Sequence, residues 1–307
     1  MRGQLLLDPE FLRKLENLSL RSRRIVRSGM RGERRSSTRG RGVEFADYRG
    51  YQAGDDYRYI DWNIYSRLDR LFVKLFSEEE DTNVHLLIDR SRSMAFPPTP
   101  FPRTPPATNG HPAKLLYAAQ AAAAIGYIGL ANMDRVSAAA FDREVGSVFG
   151  PGRGRGQTFQ LFRFLGGLTP GGTSDLVAVM REYVVQTKRR GLLVLLSDLL
   201  MPDGMEEGLK LARAHHFDLF VIHIVSDEDL APPLAGDLRL IDSETGAAVE
   251  VTVDGAALRA FTRARDRYLT GLEQFCLRHG IEYLRTTTSI PLTDLILRYL
   301  RVGGLIA

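Results

Sequence analysis

The apolar run Val84-His85-Leu86-Leu87-Ile88 ends in a carboxylate, Asp89, followed by two hydroxyls, Ser91 and Ser93, at two-residue spacing. In an extended turn this alternation sends Asp89, Ser91 and Ser93 to one side. One carboxylate and two hydroxyls are hard oxygen donors. They suit an octahedral Mg2+ or Mn2+ and not zinc, which prefers nitrogen and sulfur. Two further segments carry donors of the same kind. Leu168-Thr169-Pro170-Gly171-Gly172-Thr173-Ser174-Asp175 places the Thr173 hydroxyl after a glycine turn at a predicted helix start, and Leu195-Leu196-Ser197-Asp198 closes another apolar run with a second carboxylate. The structural alternative is that Thr173 or Ser174 caps the helix, with Asp175 favouring its positive end.

Of the five candidate ligands Asp89, Ser91, Ser93, Thr173 and Asp198, only the two aspartates are anionic. A dication held there keeps a position open for water or for an external carboxylate. Hydrolysis would also need a general base. The nearest histidine, His85, lies back inside a predicted strand, as does His223, and both read as hydrogen-bonded core residues. Asp175 is spare, but its place at a helix start accounts for it. The sequence contains no H-E-x-x-H, G-x-S-x-G or Cys-x-x-Cys pattern. Residues 150–158, Gly-Pro-Gly-Arg-Gly-Arg-Gly-Gln-Thr, lack the G-K-[ST] ending of a phosphate loop and read as a mobile glycine-arginine turn.

For Asp89, Thr173 and Asp198 to meet, a scaffold must bring distant strand ends together. Apolar runs at 84–89, 136–141, 192–198, 219–225 and 281–285 alternate with helical patterns at 113–131, 175–188, 204–214 and 256–279. Continuous hydrophobic strands between helices predict a doubly wound α/β fold with a mainly parallel sheet, whose ligands gather at the carboxyl ends of the strands. In the last helix, Leu258, Phe261, Tyr268, Leu272, Phe275 and Cys276 form the face expected to dock on the sheet, with Asp254 as cap and Gly280 as stop. Before it, residues 238–242 and 249–253 flank Ser243-Glu244-Thr245-Gly246 as a predicted hairpin. The single cysteine, Cys276, excludes an internal disulfide and a Cys-rich metal site.

Residues 1–80 read as a separate N-terminal module containing β-structure, and 81–307 as the sheet domain. The module opens with an amphipathic helix around Phe11, Leu15 and Leu18. Its aromatic, Asp- and Arg-rich block, residues 42–62, is expected to be organised by charged hydrogen bonds; the alternative is a partner-binding face made by Arg49, Asp55, Asp56, Arg58, Asp61 and Trp62. Between helix and block, residues 21–41 carry nine arginines and one acid, so a chain of net charge +4 holds +8 there and −4 elsewhere. Without interleaved aromatics for base stacking this is expected to be a solvated, mobile arm, not a nucleic-acid site. A Pro-rich stretch, 96–112, carries seven of the fourteen prolines and reads as an exposed loop beside the Asp89 turn. The N-terminal apolar run is too short for a signal peptide and no uninterrupted apolar stretch reaches membrane-spanning length, so no membrane span and a cytoplasmic address are expected.

The combination of D-x-S-x-S, Thr173 and Asp198 resembles the metal-ion-dependent adhesion site of von Willebrand factor type A domains, over roughly residues 81–300. The N-terminal block is similar to the bacterial family called domain of unknown function 58, through Glu44-Phe45, Tyr48-Arg49, Tyr51-Gln52, Gly54-Asp55-Asp56, Arg58, Ile60-Asp61-Trp62, Arg67 and Val73-Lys74, leading into Asp89 to Met94. The chain departs from that family in its long 96–112 insertion and in lacking the N-terminal transmembrane pair of some members. The resemblance implies a non-catalytic, Mg2+- or Mn2+-dependent protein-binding adaptor. Its implied partner is a MoxR-type AAA+ ATPase or that ATPase's client, held through an acidic side chain. The alternatives are a Mg2+- or Mn2+-dependent phosphoesterase and a nucleic-acid-associated protein using the arginine arm.

Overall fold

The computed structural model describes residues 6–21, 43–52, 55, 57–78, 82–96, 113–201 and 203–306. They fall into two compact units, one formed by residues up to 26 together with 82–307, the other by 27–81.

The larger unit is built on a six-stranded sheet in the order β10-β7-β6-β3-β4-β5. Its strands are β3 (Asn83–Asp89), β4 (Arg135–Phe141), β5 (Val145–Arg153), β6 (Leu192–Ser197), β7 (Asp218–Val225) and β10 (Glu282–Thr287). All neighbours pair in parallel except β5, which runs antiparallel at one edge. The chain therefore leaves β3 for β4 on one side and returns to place β6 on the other. That reversal of strand order lies between β3 and β6, the position at whose carboxyl ends doubly wound sheets gather their ligands.

Alternate residues of each central strand enter different cores, as a period of two requires. Leu86 and Ile88, Val194 and Leu196, and Ile222 and Ile224 face one side; Leu87, Leu193, Leu195 and Val221 face the other. The first core is covered by α1 (Pro9–Leu15), α3 (Ala113–Ala131), α4 (Thr158–Gly166) and the C-terminal residues Leu295, Ile296, Leu300 and Ile306. The second is covered by α5 (Leu176–Gln186), α6 (Met205–Ala214) and α7 (Gly255–Arg278). Helix α3 is apolar on all sides, which marks a helix enclosed all round. By length and composition Lys114–Ala131 would cross a bilayer, but 83% of it is buried within this unit, as its central helix.

Three expectations are corrected. The amphipathic helix with Phe11, Leu15 and Leu18 belongs to the sheet unit and not to a module spanning 1–80, because its apolar face packs into the first core. Tyr127 Oη donates to Glu16 Oε1 at 3.1 Å and Asn132 Nδ2 to the Leu18 carbonyl at 2.6 Å, which fixes the segment in place. The first half of the glycine-arginine turn is strand: Gly152 pairs with Val136 and Arg153 with Arg135. An edge strand tolerates Pro151, whose missing N–H leaves no central ladder bond unmade. Finally, α7 docks only its second half. Asp254 caps it at 2.7 Å to Ala257 N and Gly280, at φ 64°, ends it, but Leu258, Phe261 and Tyr268 stay exposed while Leu269, Leu272, Phe275 and Cys276 are buried. A helix of 24 residues is about 36 Å long, well beyond a six-residue strand of about 20 Å, so its N-terminal turns run past the sheet. The predicted hairpin is present as β8 (Gly236–Ile241) and β9 (Ala248–Val253).

The backbone just before β6 approaches the first residue of β3 closely. A Cβ at Gly191 would lie 2.1 Å from the Asn83 carbonyl oxygen. Gly191→Ala is therefore expected to destabilise the protein by about 1–3 kcal/mol, read as a lowered thermal midpoint.

The smaller unit pairs β1 (Val43–Gly50) with β2 (Phe72–Glu78) antiparallel and carries the short helix α2 (Trp62–Leu68). Asp61 caps α2, accepting from Asn63 N at 2.9 Å and Ile64 N at 3.2 Å, and also accepts from Tyr48 Oη at 3.1 Å. Arg49 bridges Asp55 at 2.8 Å. The Gln52 backbone bond, then Arg49, hold the Asp55 carboxyl below its ordinary range. Arg49, Asp55 and Asp61 thus serve the unit's own folding, while Arg58 and Trp62 are exposed, Trp62 by 60%. Asp56, the arginine arm beyond Arg21 and the Pro-rich stretch beyond Phe96 lie outside the described residues.

Candidate functional site

Strands β3 and β6 are neighbours, so Asp89 at the end of one lies beside Ser197-Asp198 at the end of the other. Asp89 is completely buried. Its Oδ1 accepts from Ser91 N at 2.8 Å and its Oδ2 from Ser197 Oγ at 2.6 Å; Ser174 Oγ reaches both oxygens at 3.3 and 3.4 Å. Ser91 Oγ and Ser93 Oγ, both buried, are 2.9 Å apart. Burial first, and then the charge of Asp198, push the Asp89 carboxyl up to about 7, against the bonds from Ser197 and Ser91.

Two loop contacts bring the glycine turn to this cluster. Gly171 N donates to the Arg90 carbonyl at 2.7 Å and Arg92 N to the Gly172 carbonyl at 3.1 Å. Beside them Arg90 bridges Asp142 at 2.6 Å. This zipper sets Ser174, not Thr173, against Asp89. Thr173 Oγ1 instead accepts from Arg143 Nε at 2.6 Å. Neither hydroxyl caps α5, because Asp175 does so at 2.9 Å to Ala178 N.

Asp198 has a partner that sequence reasoning missed. Lys114, at the start of α3 and fully buried, donates to Asp198 Oδ2 at 2.8 Å and to Asp229 Oδ2 at 3.0 Å. Burial favours the neutral amine, but the two carboxylates outweigh it and raise the Lys114 pKa, so the group is an ammonium. Asp229 is itself set by a capping box with Ser226. Asp198 Oδ1 accepts from Leu200 N at 3.2 Å. His223 bonds the Asp198 carbonyl through Nε2 at 2.8 Å and Tyr283 Oη through Nδ1 at 2.7 Å. Burial pushes its pKa down to about 4, so the ring is neutral, with Nε2 donating. His85 is likewise a core residue, between Tyr183 Oη at 2.9 Å and the Arg189 carbonyl at 3.1 Å. One signal for Lys114 was present: it is the lone charge in the helix 113–131.

The tip of the β8–β9 hairpin also reaches this rim, where Glu244 Oε2 accepts from Ser174 N at 3.3 Å. Among the described residues no group of three His, Cys, Asp or Glu side chains gathers as a metal cluster, so a cation here would rest on hydroxyls as well as carboxylates. The donor set fits a hard dication. Asp89, Ser91 and Ser93 present oxygens only, and Asp89, Asp198 and Asp229 together outnumber the one ammonium beside them.

Among proteins of known sequence, an uncharacterized protein of Mycobacterium tuberculosis and one of Mycobacterium bovis are each 26% identical to the chain over 260 residues, covering 84% of this chain and 78% of the relative. An uncharacterized protein of Mycobacterium avium is 31% identical over 90 residues, 29% of this chain and 53% of that one. Among solved structures, the conserved hypothetical protein BatB of Bacteroides thetaiotaomicron superposes with a TM-score of 0.42 at 11% identity, over 73% of this chain and 98% of that one. An aerotolerance-related membrane protein of Bacteroides fragilis gives 0.40 at 13% identity, with the same coverage. The family model described as protein of unknown function DUF58 matches residues 47–268, which takes in parts of both units and the site residues from Asp89 to Glu244, and the chain belongs to that family.

Proposed function

We propose that the larger unit is a von Willebrand factor type A-like domain whose strand-end cluster binds Mg2+ or Mn2+ and uses it to hold an acidic side chain of a protein partner. The supporting observation is the fully buried Asp89, with Asp198 beside it and Ser91, Ser174 and Ser197 bonded to it. Asp89, Ser91 and Ser93 would hold the cation. Asp198, tied to Lys114, would contribute charge, and Thr173 and Ser174 would line the rim. When bound, the dication supplies an electrophilic centre for an external carboxylate.

Binding is favoured over turnover because neither histidine near the site, among the described residues, is free to act as a base. His223 has both ring nitrogens engaged, and His85 is bonded within the core beneath the site. In this reading the protein is a cytoplasmic adaptor, and its partner is a MoxR-type AAA+ ATPase or that ATPase's client.

Titration calorimetry with Mn2+ is expected to return one site in the wild type and none in Asp89→Ala; equal heats in both would refute the assignment. Binding to the ATPase, followed by interferometry, should fall on chelation and in Asp198→Ala alike. Undiminished binding without metal would move the contact to the Arg58 and Trp62 face of the smaller unit. Metal-dependent turnover of p-nitrophenyl phosphate, lost in Asp89→Ala, would make the protein a phosphoesterase instead.

A further inference from the structure

Between residues 239 and 250 every residue but one is exposed, and the exception is a glutamate, Glu244, at the hairpin tip. Its environment is unusual for a carboxylate. Oε2 accepts from Ser174 N at 3.3 Å, while Oε1 is shielded from solvent and has no hydrogen-bond partner among the described residues. Buried carboxylate oxygens are ordinarily met by a donor or a cation, because solvation has been lost. Of the arginines beside the rim, Arg90 bonds Asp142 through Nη2 while its buried Nε has no partner among the described residues, and Arg143 donates through Nε to Thr173.

The tip is also built to present this side chain. Asp242 Oδ1 accepts from Glu244 N at 2.9 Å, Thr245 N at 2.6 Å and Thr245 Oγ1 at 2.9 Å, which fixes the backbone on either side. Through Ser174, which donates its hydroxyl to Asp89 and its amide to Glu244, the two carboxylates share one residue at the mouth of the cluster.

The geometry points to Glu244 as an intramolecular acidic ligand of the metal site, seated where a partner's carboxylate would otherwise go. This rests on the metal-binding reading above and adds a regulatory consequence: an incoming acidic side chain competes with the protein's own hairpin. A rigid tip on an otherwise exposed two-stranded ribbon can yield as a unit without disturbing either core.

The test uses the full-length protein with Mn2+ or Mg2+ as the only added ligand. Glu244→Gln is expected to bind Mn2+ about ten-fold more weakly than the wild type. Water-proton relaxation per bound Mn2+ should be greater in the variant, because a solvent molecule replaces the carboxylate. Hydrogen exchange of residues 236–253 should slow when Mg2+ is added to the wild type and not when it is added to Glu244→Gln. The wild-type exchange comparison requires no variant to fold, and equal thermal midpoints in chelator establish that the variant does. Identical affinity, relaxation and exchange in wild type and Glu244→Gln, with Asp89→Ala unable to bind, would overturn this inference alone. Absence of Mn2+ binding in the wild type would overturn it together with the metal site.

Discussion

Replacing Lys114 by methionine is expected to lower the unfolding free energy by roughly 3–5 kcal/mol, measured by urea denaturation in chelator and followed by circular dichroism. The ammonium is fully enclosed and satisfies two carboxylates at 2.8 and 3.0 Å. Taking it away strands the buried charge of Asp198 and leaves the partly buried Asp229 without their shared counter-ion, a far larger penalty than the loss of a surface pair. Such a decrement is a third or more of the stability of many domains. The triple variant Lys114→Met, Asp198→Asn, Asp229→Asn should recover most of the loss, because removing every charge leaves nothing stranded. A single-variant loss below about 1 kcal/mol would mean that solvent reaches the triad.

Acidification supplies the second large effect. Burial, with a smaller push from Arg190, drives the His85 pKa from 6.5 down to about 4, against the Arg189 carbonyl bond. Above pH 6.5 the ring is neutral folded or unfolded and makes no pH-dependent contribution. As pH falls from 6.5 to 4 the unfolded chain takes up a proton that the folded protein refuses, so stability declines, by about 3 kcal/mol in total at 1.36 kcal/mol per pKa unit. His85→Gln should flatten the dependence of the urea midpoint on pH across that window. His223 acts in the same direction. Asp89, whose pKa is raised, acts in the opposite one, losing stability as pH rises from 4 to 7. The difference between wild type and variant isolates His85, and parallel profiles would contradict a neutral buried ring.

What could be read from the sequence was whatever one strand or one turn contains. The D-x-S-x-S spacing, the apolar strands and the hairpin around Ser243 to Gly246 carry their own periodicity or turn chemistry, so they were legible. Lys114 was not, because its role exists only once residues 84 and 115 positions away are folded against it. The choice between Thr173 and Ser174 hangs on two backbone bonds from the 171–172 turn to the Arg90–Arg92 loop, which no local pattern encodes. Ser197 stood beside the predicted Asp198, but its bond to Asp89 depends on β6 pairing with β3. The outward half of α7 was misjudged because helical period reports which residues share a face, not whether a sheet lies beneath it.

The larger unit is discontinuous, and this sets an order of events during synthesis. Leu7, Phe11, Leu15 and Leu18 leave the ribosome well before the helix that covers them, α3, which begins at residue 113. Until it emerges, those side chains have no native cover, while the intervening smaller unit closes by the local pairing of β1 with β2. Joining the N-terminal segment to the rest closes a loop of about sixty residues, an entropic penalty that grows only as the logarithm of its length. Residues 6–20 are therefore a late-docking part of the core: losing them would uncover α3 and remove the strand-like bridge between Leu20 and Ile306 that ties the two segments of the unit together.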